Sequence, residues 1–344
     1  MPQSRYFTAL PEAKLQCLLC PRACLIPPGG RGCCGVRGNR DGTGEIAYYG
    51  AITAMQVDPI EKKPLYHYRP GSYILSVGFV GCNLRCPFCQ NWHISQMTPK
   101  ERIPNRYYSP QAIVHAAQVE GSGQIAYTYS EPLVHLEFLL DCMACAREAG
   151  LANVLVSNGC IHPDAAQAIL RLTDAANIDL KCFSEDTYTR ILGGDLPTVL
   201  AFITQAWKTG VHLEVTTLVV PELNDGDEEI DRCIDFLASL SPHIPWHLSA
   251  YHPAYTWKAR PTDPERLVSL TYRARETLSY VYTGNISSPL QDTACPHCGH
   301  LLIRRQGYRI DPAGLGLQQL KNTYSYHCGH CGNAVPIRGT LRNG

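Results

Sequence analysis

Three cysteines, Cys82, Cys86 and Cys89, stand in the stretch GCNLRCPFCQN with no fourth beside them. A structural zinc site closes with four ligands, whereas three thiolates on a cubane 4Fe–4S cluster leave one iron without a protein ligand. A reactive metal centre needs that kind of open position, as catalytic zinc does. The C-x3-C-x2-C spacing is therefore read as a cluster site with an open iron. A zinc site completed by a distant residue, or a chance grouping of thiols, is the competing reading. Gly81 lets the chain turn away ahead of the first thiol, and Pro87 and Phe88 stiffen and shield the last turn.

Most of the 17 cysteines fall in three bunches, as metal ligation from short loops requires. In the tail, Cys295, Cys298, Cys328 and Cys331 form two CxxC knuckles, each followed by a glycine, Gly299 or Gly332. So short a segment cannot fold on apolar burial alone, and tetrahedral zinc would supply the missing stability. The reading is a zinc ribbon, with rubredoxin-type iron for electron delivery and unmetallated thiols as alternatives. His297, His300, His327 and His330 read as exposed polar residues. At the other end, Cys17, Cys20 and Cys24 with one of the adjacent pair Cys33 and Cys34 could make a four-thiolate site. It would hold zinc or a second iron–sulfur cluster, free structural thiols being the alternative. Cys142 and Cys145, three apart on a helix, read as core.

Elements must place these residues. From 72 to 290, β-rich runs alternate with helix-length amphipathic ones: YILSVGF, IAYTYS, NVLVSN, AANIDLK, HLEVTTLVV and WHLSAY, with YTGNIS as a last edge strand. This is a βα repeat of six units, hence an α/β fold with a parallel sheet or partial barrel, short of the eight units of a closed one. The three-cysteine loop follows the first strand, at the functional face of such barrels. Alternation puts His212, Glu214 and Thr216 on one strand face and Asp179 with Lys181 on another. Charges there imply a wet cavity with something polar inside, or else a satisfied buried ion pair. Residues 1–71 form a Cys-rich extension and 291–344 the ribbon domain. The stretch IEKKPLYHYRPGS, with Glu61, Lys62 and Lys63, reads as a solvated connector.

Lys plus Arg and Asp plus Glu are 30 each, so the net charge is zero, which argues against nucleic acid and membrane-surface partners. The first residues lack the apolar core of a signal peptide, and no apolar run is long enough to span a bilayer. The expected location is the cytoplasm.

Together these motifs resemble the radical SAM superfamily, whose members have a partial (β/α)6 TIM-like barrel. The resemblance implies that S-adenosylmethionine (SAM) is chelated by the open iron and cleaved to a 5′-deoxyadenosyl radical that abstracts a hydrogen atom. TYSEP, SNG, DLK and SAYHP, at successive strand ends, are similar to segments of the branch containing pyruvate formate-lyase activases. That similarity implies SAM contacts by Ser130 and Glu131, by Ser157 and Asn158, by Asp179 and Lys181, and by His252 at the ribose. Across nearly the whole chain, CLLCPRAC, CGVRGN, DPIEKKPLYHYRPGS and PWHLSAYHP resemble the radical SAM family of the AmmeMemoRadiSam system. That family implies Memo-type and AMMECR-type partners and favours Cys34 over Cys33 at the N-terminal site. A ferredoxin- or flavodoxin-type protein is the expected electron donor.

The leading expectation is thus an enzyme acting by hydrogen abstraction. A glycyl-radical-enzyme activase is the more specific alternative, although the long Cys-rich extension departs from that pattern. A zinc-stapled scaffold without catalysis is the alternative of another class.

Overall fold

The computed structural model describes residues 5–96, 106–320 and 323–341, so the first four residues of the segment read for a leader lie outside it. A strand β1 (Ala54–Pro59) runs antiparallel to β2 (Tyr73–Gly78). From β2 the sheet continues in parallel through β3 (Gln124–Thr128), β4 (Ala152–Ser157), β5 (Ala175–Asp179), β6 (His212–Val219), β7 (Trp246–Ala250) and β8 (Val281–Gly284). Each strand bonds to the next in sequence, and among the described residues the outer strands β1 and β8 do not pair, so the barrel stays open. The connections are long enough to carry helices, as parallel neighbours require.

Those helices are α1 (Pro110–Val119), α2 (Leu136–Glu148), α3 (Pro163–Leu170), α4 (Leu196–Lys208), α5 (Asp227–Leu240) and α6 (Pro264–Arg275). Their starts are encoded locally. Ser109, Asp195 and Asp263 accept hydrogen bonds from the backbone N–H groups of Ala112, Thr198 and Glu265, and each of these helices has proline in its first turn. The helices bury their apolar faces against the outer side of the sheet, where Leu139, Ile169, Phe202, Leu237 and Leu270 join Leu213 and Val215 in one core. Cys142 lies in that core and Cys145 packs partly buried against it.

The structure corrects the sequence reading at two places. The last strand, expected at 282–287, is an edge strand as read but spans only Val281–Gly284, a seventh parallel strand whose span ends before Asn285. The stretch 60–72 is not a solvated connector. Glu61, Lys63, Tyr66, His67 and Tyr68 are all buried, and the segment closes the lower end of the barrel. Its charges are tolerated there because they are met: Lys63 Nζ lies 2.6 Å from Asp58 Oδ2, and Glu61 Oε1 accepts from Gly71 N at 2.7 Å.

Two small units flank the barrel. The N-terminal one holds a three-stranded sheet (Phe7–Ala9, Leu15–Cys17, Leu25–Ile26) and a hairpin (Arg37–Arg40 with Thr43–Ile46). Arg37, in that hairpin, meets Glu137 of α2 through two bonds of 2.9 and 3.0 Å. The C-terminal unit has two three-stranded sheets over a core of only a few residues, including Leu302, Ile303, Tyr326 and Val335. Arg305 docks it: the guanidinium lies 4.1 Å from the centre of the Tyr66 ring and donates to Tyr66 O (2.9 Å) and Gln291 O (3.1 Å).

Removing one member of a buried bidentate pair strands the other. Arg37→Ala is expected to cost about 3–5 kcal/mol, while the apolar double replacement Arg37→Met with Glu137→Leu costs much less. Urea unfolding of the two variants checks this.

Candidate functional site

At the C-terminal ends of the parallel strands lies a cavity of about 900 Å³. Cys82, Cys86 and Cys89 form one side of it, on the loop after β2. Gly81 makes that loop possible: its φ is +84°, and a Cβ there would come within 2.3 Å of Cys34 O, so the loop sits directly against the N-terminal unit. The loop after β7 holds it from the other side, the backbone N–H groups of Thr256 and Trp257 both donating to Pro87 O at 3.0 and 2.9 Å. Leu84 N donates to Cys82 Sγ (3.3 Å), and Ser95 Oγ lies 3.2 Å from Cys89 Sγ. Burial pushes the Cys82 thiol well up and the Cys86 thiol to about 11, so with nothing bound both stay protonated. A bound cation is what would make them thiolates.

The sulfurs of Cys295, Cys298, Cys328 and Cys331 all lie within 4.8 Å of one another, an arrangement that fits one tetrahedral ion. Around that site His297, His300 and His330 are exposed and His327 is half-buried. In the N-terminal group, Cys17, Cys20 and Cys34 are buried near one another, burial pushing Cys20 up to about 12. Cys24 instead adjoins Cys33, accepting from its backbone N–H at 3.4 Å.

Opposite the thiols, the cavity is polar. Glu131 is buried and accepts from Ser157 Oγ (2.7 Å), Asn158 N (2.9 Å) and Leu133 N (3.0 Å). Burial outweighs these bonds and lifts its pKa to about 7. Asn158 links Glu131 to the cysteine loop, since its Nδ2 donates to Asn83 Oδ1 at 2.9 Å. Ser130 also borders the cavity, with its hydroxyl donating to Phe79 O (2.8 Å). Lys181 Nζ lies 2.9 Å from Asp179 Oδ2. Burial alone would lower Lys181, but Asp179 and the nearby thiol groups of Cys86 and Cys89 raise it, so it stays protonated. His252 is exposed and does not line the cavity, whereas Asn285 does.

Several cavity residues were not singled out as site residues from the sequence. Tyr129, between Thr128 and Ser130, has φ +72°, a conformation costly for an aromatic residue. It is pinned from the N-terminal side, with its hydroxyl bonded to Asp58 and its ring 4.4 Å from Lys63 Nζ. The turn carrying Ser130 and Glu131 is thus set by residues some 70 positions earlier, a pairing no local motif announces. Gly307 and Tyr308, in the hairpin turn of the C-terminal unit, also line the cavity. His247 and Ser249 of β7 do too, and alternation along WHLSAY would have placed both on one face.

Residues 76–237 match the family model described as the Radical SAM superfamily. An uncharacterized protein of Methanocaldococcus jannaschii is 36% identical over 341 residues, covering 98% of this chain and 99% of that one. The pyruvate formate-lyase-activating enzyme of Clostridium pasteurianum is 24% identical over 177 residues, 51% of this chain and 74% of that enzyme. Among solved structures, a radical SAM methyltransferase from Sphaerobacter thermophilus superposes with a TM-score of 0.50 at 15% identity, over 67% of this chain and 71% of that one; at this identity the likeness is one of fold. No helix among the described residues is long and apolar enough to cross a membrane.

Four sulfurs within 4.8 Å of one another can share one ion, so Cys298→Ser is expected to lower bound divalent metal by about one equivalent. Tryptic cleavage after residue 290 should rise sharply while the barrel resists. Metal analysis and limited proteolysis check both.

Proposed function

The chain belongs to the radical SAM superfamily, and from that premise we propose that it reductively cleaves SAM and abstracts hydrogen from a small polar substrate held inside the open barrel. One observation carries the reading: three cluster-spaced thiols, a buried carboxylate and a Lys–Asp pair face one cavity of substrate size. When bound, a 4Fe–4S cluster on Cys82, Cys86 and Cys89 with SAM on its open iron supplies a 5′-deoxyadenosyl radical by one-electron cleavage of the sulfonium.

The chain's own residues bind, orient and exclude water. Glu131, held on three sides by donors, presents a carboxylate to the SAM amino group. Ser157 and Asn158 act one step back, fixing that carboxylate and the cysteine loop together. Lys181, kept charged by Asp179, serves the SAM carboxylate. Ser130 shares the turn that Tyr129 strains into place. In this reading His252 reaches the ribose only by movement of its exposed loop.

The C-terminal four-cysteine group is read as a zinc ribbon. The similarity of the flanking motifs to the AmmeMemoRadiSam family supports Memo-type and AMMECR-type partners, with a ferredoxin- or flavodoxin-type donor and a cytoplasmic setting. A second reading, an activase that places a glycyl radical on a protein, is favoured by the relatives named pyruvate formate-lyase-activating enzyme. It is weakened by the long Cys-rich extension, which departs from the activase pattern.

Anaerobic reconstitution with iron and sulfide, then dithionite and SAM, should give a brown protein that forms 5′-deoxyadenosine. Cys86→Ala is expected to abolish that product. Glu131→Gln, which loses a charge-assisted bond, should lower it by about 10- to 100-fold. A colourless zinc protein that leaves SAM intact would defeat the reading, and a glycyl radical raised on a partner would favour the activase.

A further inference from the structure

Deep in the barrel, four donors converge on one carboxylate. Glu214 Oε1 accepts from His67 N (2.7 Å) and His212 Nε2 (2.9 Å). Its Oε2 accepts from Tyr66 N (2.9 Å) and His247 Nε2 (2.7 Å). Burial would raise the pKa of this carboxylate, yet the bonds from the two imidazoles hold it well below its ordinary value, so it is ionised. An ionised carboxylate only accepts. Each imidazole must therefore donate through Nε2, and a neutral ring then carries a bare lone pair on Nδ1.

His247 is set apart by lining the cavity, which His212, the other imidazole on Glu214, does not. The Nδ1 atoms of His67 and His135 are sealed in without partners, whereas that of His247 is not sealed. His247 lines the cavity, one step below Ser249 on the same strand face. Among the described residues no protein group bonds its Nδ1. Its ring is held by the edge of Tyr66, with centroids 4.7 Å apart and planes at 85°, and by Tyr282 at 5.4 Å. Its aim is therefore fixed.

We propose that His247 anchors the substrate: Nδ1 accepts a hydrogen bond from a hydroxyl or amino group on or beside the carbon that loses hydrogen. Glu214 is the positioning residue that keeps His247 in the accepting tautomer. The substrate is then an alcohol or amine rather than a pure hydrocarbon or a carboxylate presented by its oxygens. The role in turnover rests on the radical reading above; the tautomer and the open acceptor do not.

The test uses the full chain labelled with ¹⁵N-histidine, in long-range ¹H–¹⁵N spectra. His247, assigned through His247→Asn, should show a protonated Nε2 and an unprotonated Nδ1. Glycerol, a hydroxyl probe, should shift that Nδ1 resonance, while dimethyl sulfoxide, which cannot donate, should not. Glu214→Gln, whose amide can donate to Nε2, should abolish the preference for the Nε2–H form. If that variant does not fold, Glu214→Asp should restore the wild-type pattern in part. A protonated Nδ1, or an equal response to both probes, overturns the proposal. The same spectra of Cys86→Ala should match wild type, so a protein lacking radical activity and one with the wrong tautomer are told apart.

Discussion

A parallel barrel ordinarily fills its interior with branched apolar side chains, because a charge stranded there has no water to solvate it. This one holds carboxylates, lysines and imidazoles, and the requirement that each be met by a fixed partner organises much of the molecule. Asp179 answers Lys181, Asp58 answers Lys63, and two histidines with two backbone amides answer Glu214. Two carboxylates are exceptions, Glu61, whose Oε2 has no partner, and Glu131. Three donors leave Glu131 short of full compensation, which is why its pKa is lifted to about 7. An under-compensated carboxylate facing a cavity is suited to a cationic ligand, since the ligand's charge completes what the protein leaves open.

The same requirement explains why the barrel needs its N-terminal extension. The partners for Lys63 and Tyr129 come from β1, and two of the donors to Glu214 are the amides of Tyr66 and His67. The extension also lends Cys34 O as the surface against which Gly81 turns. Remote segments of the chain thus set the turn that bears Ser130 and Glu131 and the loop that bears the thiols.

What could be read from the sequence was whatever is written locally. Period-2 runs, Ser and Asp caps and first-turn prolines mark the βα repeat, and their order puts the three-cysteine loop at the strand ends. The paired CxxC knuckles are equally local, and their four sulfurs do converge. What escaped depends on distance in sequence. Glu61 and Lys63 look solvated because their charges are visible and their partners, Gly71 N and Asp58, are recognisable as such only in three dimensions. Tyr308 gave no sign of belonging to the cavity, since its place follows from how Arg305 seats one unit on another. Glu214 lay on a face that alternation identified and His247 was not singled out, because their bond joins neighbouring strands whose register no single run encodes.

The tail therefore is no appendage to be shed. A chain ending near residue 290 would keep every thiol of the middle trio. It would nonetheless open one side of the chamber, bare the Tyr66 ring that Arg305 now covers, and admit solvent to the place where, in the proposed reaction, a carbon radical would have to survive long enough to meet its target.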